Sequence, residues 1–202
     1  NTFLGASQFL PAELIDEDAI ADARVLYLEG YLWDPEEPRA AMRRAIAAAR
    51  AAGRLVAFTP SEEFVIARHG DDFRALIADG QIDILFANQG ELAALTGEPD
   101  FDAGLAQLSP KVPVLVVTRG ADGAVAIVNG TRTECAAEPV ARVVDTTGAG
   151  DLFAAGYLWG HVQGDDVATC LRRGAIAAGE IISHYGARTE VNLKQLMADR
   201  LG

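Results

Sequence analysis

The sequence predicts an α/β protein with a mostly parallel sheet, and three observations carry this prediction. Short apolar runs alternate with longer segments of helical periodicity along the 202 residues, a pattern typical of β-α-β units. The run Ile82–Ala87 is apolar apart from Asp83, as expected of a parallel strand that is covered on both faces. An Asn-Gly pair at 129–130 separates two further strand-like runs and predicts an antiparallel hairpin.

The first predicted elements are a strand, a helix and a second strand. Arg24–Gly30 carries β-branched and aromatic side chains ahead of a glycine, which favours a strand. The next helix has several start signals, with Asp34 as its cap, Pro35 at its first position and Glu37 to complete a capping box. After that helix, Arg54–Phe58 is predicted to be a short buried strand.

The helix between these two strands should be amphipathic, and the alternation continues after it. Met42, Ile46 and Ala49 recur at helical spacing and are expected on its buried face. Further along the chain, Asp71–Ala78 predicts a short helix and Pro113–Thr118 predicts another buried strand.

The last part of the chain begins with the hairpin and ends in helices. The predicted hairpin strands are Ala124–Val128 and Thr131–Cys135. Ala141–Val144 then predicts the end of a further strand, followed by a tight turn and a helix. Because the chain has no internal repeat, low-complexity tract or long linker, we expect residues 1–202 to form one domain.

Composition narrows the range of partners. The formal net charge is −12, and 50% of the residues are hydrophobic, as in other globular proteins. Nucleic acids and anionic membranes bind clustered Lys and Arg, so neither is an expected partner. A disulfide between Cys135 and Cys170 is conceivable, but we expect free thiols in a cytoplasmic protein without a membrane-spanning segment.

The most informative segment runs from Asp145 to Asp151 and reads D-T-T-G-A-G-D. It predicts a tight turn that leads into a helix with an acid near its start. Backbone N–H groups at such a helix start are free to bind an anion such as phosphate. The spacing matches neither a Walker loop nor a dinucleotide-binding glycine motif. In a plainer interpretation, Asp151 only caps the helix.

This string resembles the D-T-x-G-A-G-D signature of the ribokinase (PfkB) family of sugar and nucleoside kinases. Three more segments resemble that family in the same order, namely Ile82–Glu91, Val116–Gly123 and Gly174–Arg188. In the last of these, Gly174–Gly186 would be a helix that flanks the nucleotide. The resemblance implies a ribokinase-like three-layer α/β/α fold, with the antiparallel hairpin near the nucleotide site. The first 80 residues fit the family less specifically.

The resemblance implies an enzyme that uses ATP and Mg²⁺ and transfers the γ-phosphoryl group to a hydroxyl group. Asp151 would be the general base that takes the proton from this hydroxyl. Gly148, Ala149 and Gly150 would offer their backbone N–H groups to the transferring phosphoryl group. The similarity is greatest to an adenosine-kinase-like branch, which favours a nucleoside acceptor. A sugar kinase of the ribokinase or fructokinase type and a catalytically silent nucleotide-binding module are the alternatives.

Asn88 and Glu91 permit two interpretations. Their spacing is that of a capping box at a helix start. In the family pattern, Asn88 lies near the phosphates and Glu91 helps to organise the magnesium end, usually through water. Magnesium takes few protein ligands and keeps several waters, which suits a single Glu. Both roles can coexist.

A nucleotide segment follows the strand predicted at 113–118. The resemblance implies that four residues lie beside the nucleotide phosphates and ribose: Thr118, Arg119, Gly120 and Gly123. Ligands of open α/β sheets bind at the carboxyl ends of strands, which agrees with this position. Arg119 could instead be a solvated loop residue.

Asp145 and Thr147 match family positions that can hold a monovalent cation such as K⁺. The carbonyl groups of Ile181 and Gly186 would be further ligands. In the alternative interpretation, Asp145 only accepts a hydrogen bond within the turn.

The N-terminal portion expected of such a kinase is not recognisable in the sequence. The chain begins at Asn1, without the glycine pair that receives the substrate and without a small lid sheet. We therefore expect Asn1 to lie in the middle of a longer kinase. Its acceptor would be a small nucleoside or sugar, and the full-length enzyme could form a homodimer through the lid sheet.

Overall fold

Helices and strands alternate along the chain in a computed structural model that describes residues 4–201. Residues 1–3 and 202 lie outside the described residues, and so does the expectation about Asn1. The chain divides into two compact units, Asn1–Val116 and Val117–Gly202. Hydrogen bonds join the described strands into one sheet, in which they follow the order of the chain, and the predicted α/β class is confirmed.

The first unit consists of strands that alternate with helices. Its elements are α1 (Glu17–Asp22), β1 (Val25–Glu29), α2 (Glu36–Ala51), β2 (Leu55–Thr59), α3 (Glu63–Ala78), β3 (Ile84–Asn88), α4 (Gln89–Thr96), α5 (Phe101–Leu108) and the beginning of β4 (Val114–Thr118). Strand β2 lies parallel to β1 on one side and to β3 on the other. The predicted strands of this unit are therefore present, with small shifts at their ends.

The core of the first unit lies between its helices and strands. Trp33, Phe58 and Phe73 are fully buried and meet edge to face, with ring centroids 5.0 to 5.6 Å apart. This is the geometry that aromatic pairs prefer. The predicted inner face of α2 is confirmed, since three of its buried residues are Met42, Ile46 and Ala49.

The predicted cap of α2 is wrong. Pro35 precedes the helix and no side chain caps it, so Glu37 completes no capping box. Asp34 Oδ1 instead accepts a hydrogen bond from Arg68 Nε at 2.8 Å, and His69 Nε2 lies 2.8 Å from the same oxygen. The hydrogen bond from Arg68 holds the pKa of Asp34 below its usual value. The charged guanidinium of Arg68 on α3 binds this carboxylate more strongly than a neutral backbone N–H would.

Two further boundaries in the first unit differ from the prediction. Helix α3 begins at Glu63 rather than Asp71, because its first turns also bury apolar side chains that the prediction left out. Strand β3 begins at Ile84, one residue after Asp83. The Asp83 carboxylate accepts a hydrogen bond from the Val56 N–H at 2.7 Å, which ties β3 to its neighbour from outside the strand.

The second unit begins with the end of β4 and the predicted hairpin. Its further elements are β5 (Ala124–Val128), β6 (Thr131–Cys135), α6 (Ala149–Gln163), α7 (Val167–Ile181) and α8 (Leu193–Leu201). Strands β5 and β6 are antiparallel, and Val128 pairs with Thr131 across a two-residue loop. Asn129 and Gly130 both have positive φ, as this tight hairpin turn requires. The hairpin prediction is confirmed.

Helices α6 and α7 pack closely through two glycines. A Cβ on Gly156 would lie 2.6 Å from the Arg173 carbonyl oxygen, and one on Gly174 would lie 2.8 Å from the Phe153 carbonyl oxygen. Both distances are shorter than real Cβ contacts, so these positions exclude larger residues. The close packing fixes the start of α6 relative to the middle of α7.

Two predictions for the second unit are wrong. Ala141–Val144 forms no strand; its Val144 N–H donates to the Ile182 carbonyl oxygen at 2.8 Å, beyond the end of α7. Helix α7 spans Val167–Ile181 rather than Gly174–Gly186. Gly186 adopts a φ of 90°, which a right-handed helix cannot accommodate.

Candidate active site

The start of α6 is the centre of the candidate site. Gly148 precedes the helix with a φ of 81°, and no side chain caps the helix start. The Ala149 N–H donates to the Thr146 carbonyl oxygen at 3.1 Å. In the described part of the chain, the N–H groups of Gly150 and Asp151 have no hydrogen-bond partner. The turn therefore presents two free donors where the helix dipole adds partial positive charge.

Asp151 is the third residue of α6 and is exposed. Gly148, not Asp151, occupies the capping position, so the plainer interpretation of Asp151 as the cap does not hold. An added Cβ on Gly150 would meet no atom within 4 Å. Open space thus surrounds this Cβ position, and the exposed Asp151 follows it directly in the helix.

Asp145 supports this turn from its other end. Its Oδ1 accepts hydrogen bonds from the Thr147 N–H at 2.9 Å and from Thr147 Oγ1 at 2.7 Å, and its Oδ2 accepts one from the Gly186 N–H at 3.1 Å. These bonds, led by the one from the Thr147 N–H, hold the pKa of Asp145 below its usual value. The turn hydrogen bond predicted for Asp145 is confirmed. The same contacts bring the segment after α7 to the turn.

A cavity of about 180 Å³ adjoins the turn within the second unit. It brings together six residues from the sequence-based site and its turn: Thr118, Gly120, Gly123, Thr146, Ala149 and Gly150. Arg119 is not among its lining residues; the Arg119 N–H donates to the Gly123 carbonyl oxygen at 2.8 Å. Its guanidinium lies 3.9 Å from the Asp122 carboxylate.

The sequence did not identify the other lining residues of the cavity one by one. It consists of Ala137, Glu138, Phe153, Ala175, Ala178, Gly179 and Ile182. Resemblance indicated the helix that carries Ala175, Ala178 and Gly179, and small residues on one face of it were the available signal. Nothing in the local sequence indicated Glu138.

Asn88 and Glu91 lie in the first unit, at the start of α4. The Asn88 side chain accepts from the Glu91 N–H at 2.8 Å, and Glu91 Oε2 accepts from the Asn88 N–H at 2.9 Å. A capping box is therefore present, and this interpretation of the pair is confirmed. Glu91 is only 4% exposed. Its pKa is raised to about 7, chiefly by burial and further by the charges of Glu62 and Glu63.

The described part of the chain holds neither a cluster of metal-ligand side chains nor a membrane-spanning helix. Among residues 4–201, no three His, Cys, Asp or Glu side chains are grouped as metal ligands. Within the same residues, no helix has the combination of length and apolar character that a membrane span requires. Cys135 and Cys170 are both free thiols.

Known proteins resemble this chain over most of its length. The model of the pfkB family of carbohydrate kinases matches residues 1–194. A probable sugar kinase from Rhizobium etli has a TM-score of 0.93 and 36% identity, covering 96% of this chain and 58% of that one. An adenosine kinase from Sinorhizobium meliloti has a TM-score of 0.91 and 39% identity, covering 96% and 59%.

A putative ribokinase II from E. coli, solved with ATP and Mg²⁺, has a TM-score of 0.85 at 21% identity, covering 95% of this chain and 64% of that one. At this identity the likeness concerns the fold. Together these neighbours confirm the predicted ribokinase-like three-layer α/β fold. The chain spans 42% and 58% of the lengths of the first two curated relatives that it matches.

Proposed function

Because the chain belongs to the pfkB family of carbohydrate kinases, we propose that it carries the phosphoryl-transfer half of an ATP-dependent kinase. The acceptor is a hydroxyl group of a small molecule, with an adenosine-like nucleoside as the first candidate and a sugar as the alternative. One observation carries the proposal. An uncapped helix start, with an exposed carboxylate, adjoins a cavity lined mainly by small and apolar residues.

The cavity suits the base of the nucleotide. Whole-ligand pockets typically measure about 300–1,000 Å³, so a cavity of about 180 Å³ accommodates one part of ATP. Ala175, Ala178 and Gly179 offer a flat apolar wall from α7, against which an aromatic ring can stack. Thr146 and Gly150, at the turn, also line this cavity. A base held here would direct its phosphates toward the start of α6.

The N–H groups of Gly150 and Asp151 would bind the oxygens of the transferring phosphoryl group. Both donors are already oriented by the helix, so they stabilise developing negative charge without reorganisation. Ala149 has a different role from the one expected, since its N–H is used within the turn. Gly148 would act through its left-handed conformation, which turns the chain into the helix.

Asp151 would remove the proton from the attacking hydroxyl group. A general base must be ionised and must be able to reach the proton it removes. Asp151 is exposed beside the free N–H groups, so its carboxylate is accessible to a hydroxyl group bound there. The hydroxyl oxygen would then attack the γ-phosphorus in line with the departing ADP.

Two cations complete the proposal. Mg²⁺ would neutralise the ATP phosphates, and its preference for water ligands suits Glu91, which could act through water because Asn88 already occupies both carboxylate oxygens. Asp145, with Thr147, would be the K⁺ position. Its hydrogen bonds hold it ionised, as a cation partner requires. Thr118, Gly120, Gly123 and the backbone of Arg119 would flank the nucleotide.

The test is ADP release from ATP and Mg²⁺ by the full chain, with adenosine, ribose and fructose offered in turn. Asp151→Asn should reduce acceptor-dependent turnover by at least about a hundredfold, as expected for loss of a general base. Asp102→Asn is the matched control, because Asp102 is also an exposed acid in the first turn of a helix, α5. Equal turnover by the two variants would contradict the role of Asp151.

The second candidate function is that of a nucleotide-binding module without transfer. It is favoured by the cavity and the open helix start alone, which could hold a nucleotide whether or not transfer follows. ATP binding without release of ADP in the presence of any acceptor would support it. A homodimer, a cytoplasmic location and a single domain over residues 1–202 stay predictions.

A further inference from the structure

Glu138 is a buried acid in the wall of the cavity with no role in the proposed transfer. It lies in the segment between β6 and the turn at 145–151, and its side chain is 7% exposed. Among the described residues that line the cavity, it is the only charged one. A buried charge requires partners, because its desolvation otherwise costs several kcal/mol, about the size of a whole domain's margin of stability.

Two arginines from different helices supply these partners. Arg172 Nη2 on α7 lies 2.5 Å from Glu138 Oε2. Arg200 Nη1 near the end of α8 lies 3.2 Å from Glu138 Oε1. Each carboxylate oxygen therefore faces its own guanidinium group. The acid joins α7, α8 and the cavity wall at one point.

The aliphatic part of Glu138 packs on the backbone of Gly179. A Cβ on Gly179 would lie 2.7 Å from both the Cβ and the Cγ of Glu138, so a larger residue would displace the acid. Glu138 and Gly179 line the nucleotide cavity and also a second cavity of about 260 Å³, which Arg200 lines as well. The pair thus forms the partition between the two cavities.

Part of the segment that carries Glu138 is exposed. Its neighbours Ala136, Pro139 and Ala141 are exposed. Helix α8 is more firmly placed, because Met197 is buried against Ile176 and Ala177 of α7. We therefore expect loss of the ion pairs to disturb the position of Glu138 more than that of the helices.

We propose that Glu138 is a positioning residue for the nucleotide, and that Arg200 of α8 acts on the nucleotide cavity through it. The proposal rests on the assignment of that cavity to the nucleotide. Glu138 touches neither the transferring phosphoryl group nor the acceptor. Its loss should weaken ATP binding and leave the chemical step unchanged.

The test measures the Kd for ATP by titration calorimetry and the KM for ATP and kcat by ADP release. Glu138→Gln should raise Kd and KM about tenfold and Arg200→Ala about threefold, the range seen when residues remote from a ligand are changed. The double variant should resemble Glu138→Gln, because both changes break one connection. Lys194→Ala, on the same helix and exposed, is the control and should match the wild type.

A purely structural role would have another signature. It would lower the melting temperature and kcat together with ATP affinity, and that result would overturn the proposal. An unchanged Kd in Glu138→Gln, or additive effects in the double variant, would also overturn it. If Glu138→Gln does not fold, Arg200→Ala keeps the test decisive, because Arg200 is 55% exposed.

The outcomes separate this inference from the proposed kinase activity. ATP binding without transfer would contradict the kinase alone, since Kd still reports on Glu138. Transfer with an ATP affinity that is insensitive to Glu138 would contradict the inference alone. A wild-type chain that binds no ATP would contradict both.

Discussion

Two helices of this protein begin in opposite ways. Helix α4 begins with a complete capping box, in which Asn88 and Glu91 satisfy each other's backbone N–H groups. Helix α6 begins at Gly148 with no side-chain cap, and the N–H groups of Gly150 and Asp151 have no partner in residues 4–201. The first four N–H groups of any helix have no partner within the helix. In α4 side chains of the helix start bind some of these groups, whereas in α6 no side chain does.

The difference separates an acid that is occupied by its own helix start from one that is accessible. Glu91 is buried and fully hydrogen-bonded, so it stabilises a helix at the cost of its own ionisation. Asp151 is exposed beside unoccupied donors, so it is available to a ligand. Sequence spacing alone ranks both as acids near a helix start; only hydrogen bonding and burial distinguish them.

Among the changes that test the difference between the two helix starts, Gly150→Val should have the largest effect. The new side chain would fill open space at the residue that supplies one of the two free N–H groups and hinder the close approach of a phosphoryl group, so we expect kcat to fall by about a hundredfold or more. ATP affinity should change much less, because the proposed contact of Gly150 is with the transferring phosphoryl group, whereas the base would stack on the wall formed by α7. ADP release measures kcat, and calorimetric titration measures the Kd for ATP.

Ala155→Val is the control for Gly150→Val, since Ala155 is exposed on the same helix and the change also adds a β-branched residue. Its kcat should stay near that of the wild type. If Gly150→Val reduced transfer and ATP binding equally, the assignment of these donors to the phosphoryl group would fail.

Glu91, at the capped start of α4, should make the free energy of unfolding depend on pH. The folded pKa of Glu91, about 7, exceeds its ordinary value of 4.5, so the fold favours the protonated form. The stability linked to this group is fully present below pH 4.5 and is lost as the pH rises through 7. The shift corresponds to about 3 kcal/mol at most.

Glu91→Gln imitates the protonated acid and should remove this pH dependence. Urea unfolding of the wild type and of the variant at pH 4.5 and pH 8 would measure it, and the difference between the proteins cancels the titration of other groups. The wild type should lose more unfolding free energy than the variant between the two pH values. Parallel losses would contradict the raised pKa.

The smallest expected effect concerns Asn88. Asn88→Ala removes the side-chain acceptor for the Glu91 N–H and should lower the unfolding free energy by about 1 kcal/mol. Asn88→Ser keeps a capping oxygen and should recover most of this loss. Denaturant titration distinguishes the two; if Ser and Ala were equally destabilising, capping would not be the contribution of Asn88 to stability.

Local signals in the sequence were sufficient for the hairpin and for the turn into α6. Asn129-Gly130 determines a two-residue turn by its own backbone preferences, and the structure has the predicted register. The predictions that were wrong depended on contacts between residues far apart in the sequence. Asp34 does not cap α2, because its carboxylate contacts Arg68 and His69 instead. These partners lie more than thirty residues further along the chain, so the sequence around Asp34 does not indicate them.

The remaining differences have the same origin. Ala141–Val144 has strand-like residues, but its one described backbone hydrogen bond outside the segment goes to Ile182 beyond a helix, so it has no strand to pair with. Glu138 acquires its role from Gly179, Arg172 and Arg200. Such a role depends on which helices meet, and single-sequence patterns do not contain that information.

The open donors of Gly150 and Asp151 also have a practical consequence for the bench. Nothing at the helix start distinguishes a γ-phosphate from a free inorganic anion of similar shape and charge. Phosphate and sulfate buffers should therefore compete with ATP and raise its apparent KM. They should also raise the melting temperature, because an anion that binds only the folded chain stabilises it in proportion to the logarithm of its concentration.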